Sequence, residues 1–205
     1  DMGNGLNMKK ISLLAFFLFL FSAVSYAHGP VRGKMTATVA IDASAADVWE
    51  VIKNFDDMSW HPGIKSTDGT GGNEKGATRV LTLADGGSIT EFLKKYDAAK
   101  MSYTYKITDM SVVKTIQHSG QDEDVPVLAV DNYQGKLTVK KKGSGSEVIW
   151  VATYYRGYMN NNPPVELNEE TADEQVTAVL EAGLASLLNK FEPGAQADIE
   201  FKMKR

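Results

Sequence analysis

From Lys34 to Ile41 the chain alternates, with Met35, Ala37, Val39 and Ile41 on one face. A period of two predicts a half-buried strand. The period then changes: Val48, Val51, Ile52 and Phe55 recur at i, i+3, i+4 and i+7, the single apolar stripe of a short helix. Ser44, with Asp47 three residues on, supplies a capping box at its start. Trp60-His61-Pro62-Gly63 breaks any continuation, because proline disfavours helix in the residue before it and glycine opens a turn.

From Ile64 to Tyr155 the pattern is strands divided by turns at Asp68 to Gly72, Asp85-Gly86-Gly87 and Gly143-Ser144-Gly145. Ala77–Ala84, Ser88–Tyr96 and Met101–Asp109 are expected neighbours, the last with Met101, Tyr103, Tyr105 and Ile107 on one face. Tyr133–Lys141 and Glu147–Tyr155 form a hairpin in which Trp150, Ala152 and Tyr154 share a face. Val112 to Val127 reads as an acidic, irregular insertion. Val176, Val179, Leu180, Gly183, Leu184, Leu187, Leu188 and Phe191 then repeat with helical period over about four turns. Thr171 and Glu174 offer the capping box of this helix, Pro193-Gly194 stops it, and 193–205 is expected to be a frayed or weakly paired tail.

The N-terminus has a different character. Lys9-Lys10, the apolar run Ile11–Val24 and Ser25-Tyr26-Ala27 have the layout of a secretory signal, too short to span a bilayer at ~20 residues. Residues 1–27 are expected to form a leader and cleaved signal, with Met8 as the natural start and His28 as the new terminus. What remains is one domain, 28–192, followed by the tail. The whole chain carries a net charge of −4, and the expected mature form is one unit more negative, which disfavours nucleic acid or an anionic membrane as main partner. Cysteine is absent, excluding disulfides, thiolate metal sites and a cysteine nucleophile. The periplasm is the expected location, with no membrane span after cleavage.

One strand, a Ser44-capped helix, Val48-Trp49, Phe55-Asp56 and Trp60-His61-Pro62, followed by Glu91, Tyr96-Asp97 and Trp150, resembles the START, Bet v 1 and polyketide cyclase/dehydrase (SRPBCC) superfamily. The resemblance implies an α+β helix-grip fold: a curved antiparallel sheet around a long C-terminal helix, with two short helices after the first strand. Within it, Tyr155-Arg156-Gly157-Tyr158-Met159-Asn160-Asn161-Asn162-Pro163-Pro164 and Glu166-Leu167-Asn168 resemble the MxaD-type periplasmic proteins of methanol oxidation. That likeness implies a non-catalytic accessory assisting electron transfer from methanol dehydrogenase to its cytochrome c. Gln117–Asp124 departs from the family by adding polar length before Pro126-Val127 and Asn132-Tyr133, so access on that side is expected to differ.

The candidate chemistry divides into a cavity and a surface. Trp60, His61, Glu91, Tyr103, Tyr105, Trp150 and Tyr154 would line a cavity for a small apolar ligand if their faces look inward; ordinary core packing explains the same aromatics. Histidine has a near-neutral pKa suited to proton transfer, and an aromatic-Pro turn capping the core is the stronger account of His61. Glu91, in phase with Ile89 and Leu93, would meet a ligand or Arg79 if it points inward, because a buried carboxylate needs a partner; a bulge that leaves it solvated beside a neighbouring-strand lysine explains the position at least as well. Arg156, Tyr158, Asn160, Asn161 and Asn162 are candidates for a partner surface or for a crossover satisfied by its own amides. No catalytic residue, metal or cofactor is assigned: Asp122-Glu123-Asp124 lacks calcium-loop spacing, and copper at His28 would need His61 or His118 nearby. A hydrophobic carrier or sensor, and a cyclase or dehydratase using His61 with Glu91, remain the alternatives.

Overall fold

Lys34–Ile41 and its neighbours do form the first strand, β1 (Gly33–Ile41), in a computed structural model that describes residues 29–205. The expected leader and its cleavage point lie outside the described residues. After β1 come α1 (Ala45–Ile52), β2 (Ile64–Thr70), β3 (Thr78–Leu83), β4 (Ser88–Asp97) and β5 (Ser102–Met110). A separate hairpin follows, β6 (Val112–His118) with β7 (Gln121–Pro126), and then the long pair β8 (Val130–Lys142) and β9 (Gly145–Arg156). A 3-10 turn (Val165–Leu167) leads into α2 (Glu169–Phe191), and β10 (Glu200–Lys204) follows. Among the described residues no helix is long and apolar enough to cross a membrane.

Eight strands make one antiparallel sheet in the order β10-β1-β9-β8-β5-β4-β3-β2. Its inner face carries the alternating apolar sets that the pattern promised, Met35, Ala37, Val39 and Ile41 from β1 and Trp150, Ala152 and Tyr154 from β9, all buried. Against it lies α2, burying Val176, Leu180, Leu184, Leu187 and Leu188. The architecture is the expected α+β helix grip, a curved sheet around the long helix.

Two glycines set how closely the layers approach. Gly135 on β8 sits opposite Tyr105 on β5, and a β-carbon there would lie 2.2 Å from the Tyr105 ring. On α2, a β-carbon at Gly183 would lie 2.6 Å from His61 and 2.7 Å from Trp150. Each glycine lets an aromatic ring press against backbone, where any side chain would collide.

Several local expectations change. Ser44 caps α1 as anticipated, its hydroxyl accepting from the Asp47 amide at 3.1 Å. Phe55 falls outside the helix, however, and one short helix rather than two follows β1. In place of a second helix, the Phe55 amide donates to Asn73 Oδ1 (2.8 Å), the Met58 amide to Thr67 Oγ1 (3.3 Å) and the Ser59 amide to Asp57 Oδ1 (2.8 Å). Side-chain acceptors thus take donors that a helix would have bonded to its own carbonyls. Asp68 to Thr70 continue β2, since Gly69 leaves room for Asp56 beside the strand; the turn begins at Gly71. Val112–Val127 is an ordered hairpin, turned at Ser119-Gly120 with both residues at positive φ, the conformation that matches strand twist. The cap of α2 is Asn168, whose Oδ1 accepts from the Thr171 amide at 2.9 Å, while Thr171 Oγ1 donates to the Val165 carbonyl. Within the expected tail, Glu200–Lys204 pairs antiparallel with β1 as an edge strand.

Candidate functional site

Between the inner face of the sheet and α2 lies a cavity of about 350 Å³. Strand parity supplies most of its wall: Arg79, Leu81 and Leu83 from β3, Ile89 and Glu91 from β4, Tyr105 and Ile107 from β5, Tyr133 from β8 and Trp150 from β9. The turn after α1 adds Met58, His61 and Gly63, and α2 adds Val179. Exposed Ala84 and Asp85, at the β3–β4 turn, mark where this space meets solvent.

His61 is 4 % exposed and joins the turn to the helix. Its Nδ1 accepts from the Gly63 amide at 3.0 Å, which obliges Nε2 to carry the proton and donate to the Val179 carbonyl at 2.9 Å. Its ring meets Trp150 edge-on, with centroids 6.1 Å apart. Burial pulls its pKa below the ordinary 6.5 and the Arg79 charge adds to this, while the bond to Val179 resists. Both nitrogens are committed to backbone, so a neutral, fixed imidazole is what the fold selects.

Arg79 and Glu91 face each other across β3 and β4 and are both buried. Arg79 donates from Nε and Nη2 to the same carboxylate oxygen, Oε2, each at 2.6 Å, which leaves Oε1 free of Arg79. Its Nη1 donates to the Phe55 carbonyl at 2.6 Å, and its guanidinium lies 4.2 Å from the Phe55 ring centroid and 5.1 Å from that of Tyr105. Burial opposes the charge on Arg79, but Glu91, Tyr103 and Tyr105 together outweigh it and raise the pKa of Arg79. Burial pushes Glu91 upward against the pull of Arg79. Because the guanidinium cannot shed its proton and two donors converge on one oxygen, the pair stands ionised at neutral pH.

Beside this pair, Trp150 Nε1–H donates to the Tyr105 hydroxyl at 3.0 Å. Burial holds the Tyr105 and Tyr133 phenols well above their ordinary pKa, so both stay protonated. The cavity therefore offers mostly hydrocarbon, with phenols and a half-engaged carboxylate as its polar features.

Of the seven residues suggested by the sequence, His61, Glu91, Tyr105 and Trp150 meet at this cavity. Trp60, Tyr103 and Tyr154 do not line it. Trp60 is fully buried against Trp150, with centroids 5.6 Å apart. Tyr103 packs at the covered end among Trp49, Phe55 and Tyr96, and burial pushes its phenol up to about 12. Tyr154 lies under the N-terminal part of α2 and donates to Asp173 Oδ1 at 2.8 Å. Tyr133 also lines the cavity, and the sequence signal for it is its shared parity with Leu137 and Val139 on β8.

The Arg156–Pro164 segment divides differently from the expected surface. Arg156 is buried and braces the loop from within, donating to the carbonyls of Tyr158 (2.6 Å) and Asn160 (2.7 Å) and pairing with Glu169. Tyr158 is buried among Val125, Ala129 and Leu167, its ring edge-on to His118. Asn160, Asn161 and Asn162 are exposed, and the Asn162 carbonyl bonds to His118 Nε2 at 2.7 Å. Among the described residues no three His, Cys, Asp or Glu side chains converge as a metal would require.

Similar structures place this geometry. XoxI from Bacillus cereus is similar at 27 % identity and TM-score 0.61, over 78 % of this chain and 96 % of that one. Ara h 8.0201, at 14 % identity and TM-score 0.56, covers 79 % of this chain and 99 % of its own. Norcoclaurine synthase from Thalictrum flavum, in complex with dopamine and hydroxybenzaldehyde, matches at 15 % identity and TM-score 0.53 over 82 % and 91 %. The last two share the fold alone. No curated protein sequence matches the chain. The family model described as polyketide cyclase/dehydrase and lipid transport matches residues 32–192, essentially the whole helix grip, and the chain belongs to that family within the SRPBCC superfamily.

Proposed function

We propose that the protein is a non-catalytic binder of a small, mostly apolar molecule, acting as an exported accessory of methanol oxidation. The observation that carries the binding half is the commitment of the cavity's would-be acid and base. Both ring nitrogens of His61 are taken by backbone and Glu91 is tied to Arg79. General acid–base catalysis needs a group free to exchange a proton with substrate. A cavity of about 350 Å³ suits a small ligand with an apolar body and one hydrogen-bond donor for Glu91 Oε1.

The accessory half is supported by the MxaD-like run from Tyr155 to Asn168 and by the likeness to XoxI, which carries a methanol-oxidation name. Export to the periplasm is supported by Lys9-Lys10 and the apolar run after them. Native mass spectrometry of the protein taken from its own cell envelope tests the binding half. An adduct that disappears in Ile107→Trp, which fills the cavity, is expected; a uniformly ligand-free protein removes this half. Adding the protein to methanol dehydrogenase and its cytochrome c tests the other half. Faster electron transfer is expected, and an unchanged rate over a full concentration series sinks it.

A further inference from the structure

The sheet's outer face, turned away from α2, carries a charge that the cavity does not explain. Lys95 on β4, Lys106 on β5, Lys136 and Lys140 on β8, Lys34 on β1 and Lys204 on β10 are exposed and out of phase with the buried inner set. Register gathers them: Lys95 and Lys136 both neighbour Thr104, and Lys34 lies directly opposite Lys204. Among the described residues none of the six takes part in an ion pair. A shallow depression of about 410 Å³ lies at the centre, where Lys95, Lys100, Lys136 and Lys140 surround the hydroxyls of Thr104 and Thr138, with Asp97 also on its wall.

The chain as a whole is negative, at −4, so this surface is basic through sorting and not through excess. The face also carries Asp97, Glu147 opposite Lys140, and Glu200 opposite Thr38, but lysines outnumber them, and the opposite layer is acidic: α2 carries Glu169, Glu170, Asp173, Glu174 and Glu181, and its one basic residue is Lys190. Like charges directly across a strand pair are destabilising, so Lys34 opposite Lys204 is maintained against local preference.

We propose that this face docks an acidic protein surface. From β4 to β10 it crosses six strands, roughly 24 Å at ~4.8 Å per strand, far wider than a single small anion. The face is the convex side of the curved sheet and is threonine-rich, and its apolar members Phe92, Ile149, Val151 and Tyr155 are half-buried between strands, so nothing projects as the apolar wedge that anchors a protein in a bilayer. Complementary charge of this kind steers association and gives strong salt dependence. The assignment is independent of what the cavity holds.

The test uses the full chain, with fluorescent poly-L-glutamate as probe and anisotropy as readout. Binding is expected at 50 mM NaCl despite the negative net charge, weakening about tenfold or more at 300 mM. Lys95→Glu/Lys136→Glu is expected to weaken it about tenfold or more with an unchanged melting curve, and Lys75→Glu/Lys114→Glu, off the face, by less than about threefold. If the charge-reversed pair does not fold, Lys95→Gln/Lys136→Gln replaces it, with a smaller loss in the same order. No binding at 50 mM, or equal losses from both pairs, overturns the proposal. So does competition by millimolar inorganic phosphate, which assigns the depression to a small anion. Binding to phosphatidylglycerol vesicles but not to poly-L-glutamate assigns the face to a membrane and overturns it too.

Discussion

Removing one member of the Arg79–Glu91 pair should have consequences that depend on which member goes. Glu91→Leu leaves a guanidinium that is 1 % exposed with only the Phe55 carbonyl and two ring faces for company. Arginine cannot escape by losing its proton, so the full cost of a broken buried pair applies, about 3–5 kcal/mol, at every accessible pH. Arg79→Met strands a carboxylate instead, and that group can escape by taking a proton. Its electrostatic cost is capped by protonation from an ordinary pKa of about 4.3, at about 3.7 kcal/mol at pH 7 and about 1 kcal/mol at pH 5. Burial already pushes Glu91 upward, in the direction that this escape requires. The double variant Arg79→Met/Glu91→Leu removes both charges and should recover most of the loss. Urea denaturation of the four proteins at pH 5, 6 and 7 measures this. With a slope of about 2 kcal/mol/M, Glu91→Leu should move the midpoint down by about 1.5–2.5 M at all three pH values. Arg79→Met should approach wild type as pH falls. Parallel pH dependence in the two single variants, or losses below about 1 kcal/mol in both, refutes the reasoning.

Other outcomes follow from the same geometry. His61 is held below its ordinary pKa of 6.5, so the unfolded chain takes up the proton first; stability should be level above pH 6.5 and fall as pH drops through it, by at most about 1.4 kcal/mol per unit. His61→Phe should abolish this component between pH 5 and 6.5 in denaturation midpoints, and an unchanged slope would place the titration elsewhere. Gly135→Ala puts a β-carbon against the Tyr105 ring and should cost about 1–3 kcal/mol in urea melts, most of it regained in Gly135→Ala/Tyr105→Leu. Tyr154→Phe loses the bond to Asp173 and should cost about 1 kcal/mol, with no change in ligand adducts by mass spectrometry, because Tyr154 lies off the cavity.

The strands and the long helix were legible because their periods are set by burial on one side: β1 and α2 each show a buried apolar face and a wetter one, and β9 alternates buried with half-buried positions. Where both faces are wet, that signal vanishes. The β6–β7 hairpin is a two-stranded ribbon with most side chains exposed, so its Val112–Val127 sequence looked irregular although Ser119-Gly120 held the turn signal. Inward direction was legible for Tyr105, while for Glu91 the register shift beside it left solvent exposure equally open; depth was legible for neither. Tyr103 has the same parity as Tyr105 two residues away, yet α1 and Phe55 cover one and leave the other on the cavity. The fate of His61 rested on a contact 118 residues distant, with the Val179 carbonyl, that no local pattern encodes. Arg156 looked like a recognition residue because it sits in a loop of amides, but it binds that loop from within, through the backbone carbonyls of Tyr158 and Asn160.

Gly135 and Gly183, each lying beneath an aromatic ring, constrain how such a cavity can diverge over evolutionary time. Enlarging either glycine first meets a ring, and shrinking the ring first opens a void, so neither step is neutral alone. Walls built this way change in pairs or stay as they are. Variation in what the cavity accepts is therefore channelled toward residues with no glycine behind them, Leu81, Ile89 and Ile107, where a single substitution reshapes the space and leaves the grip on α2 intact.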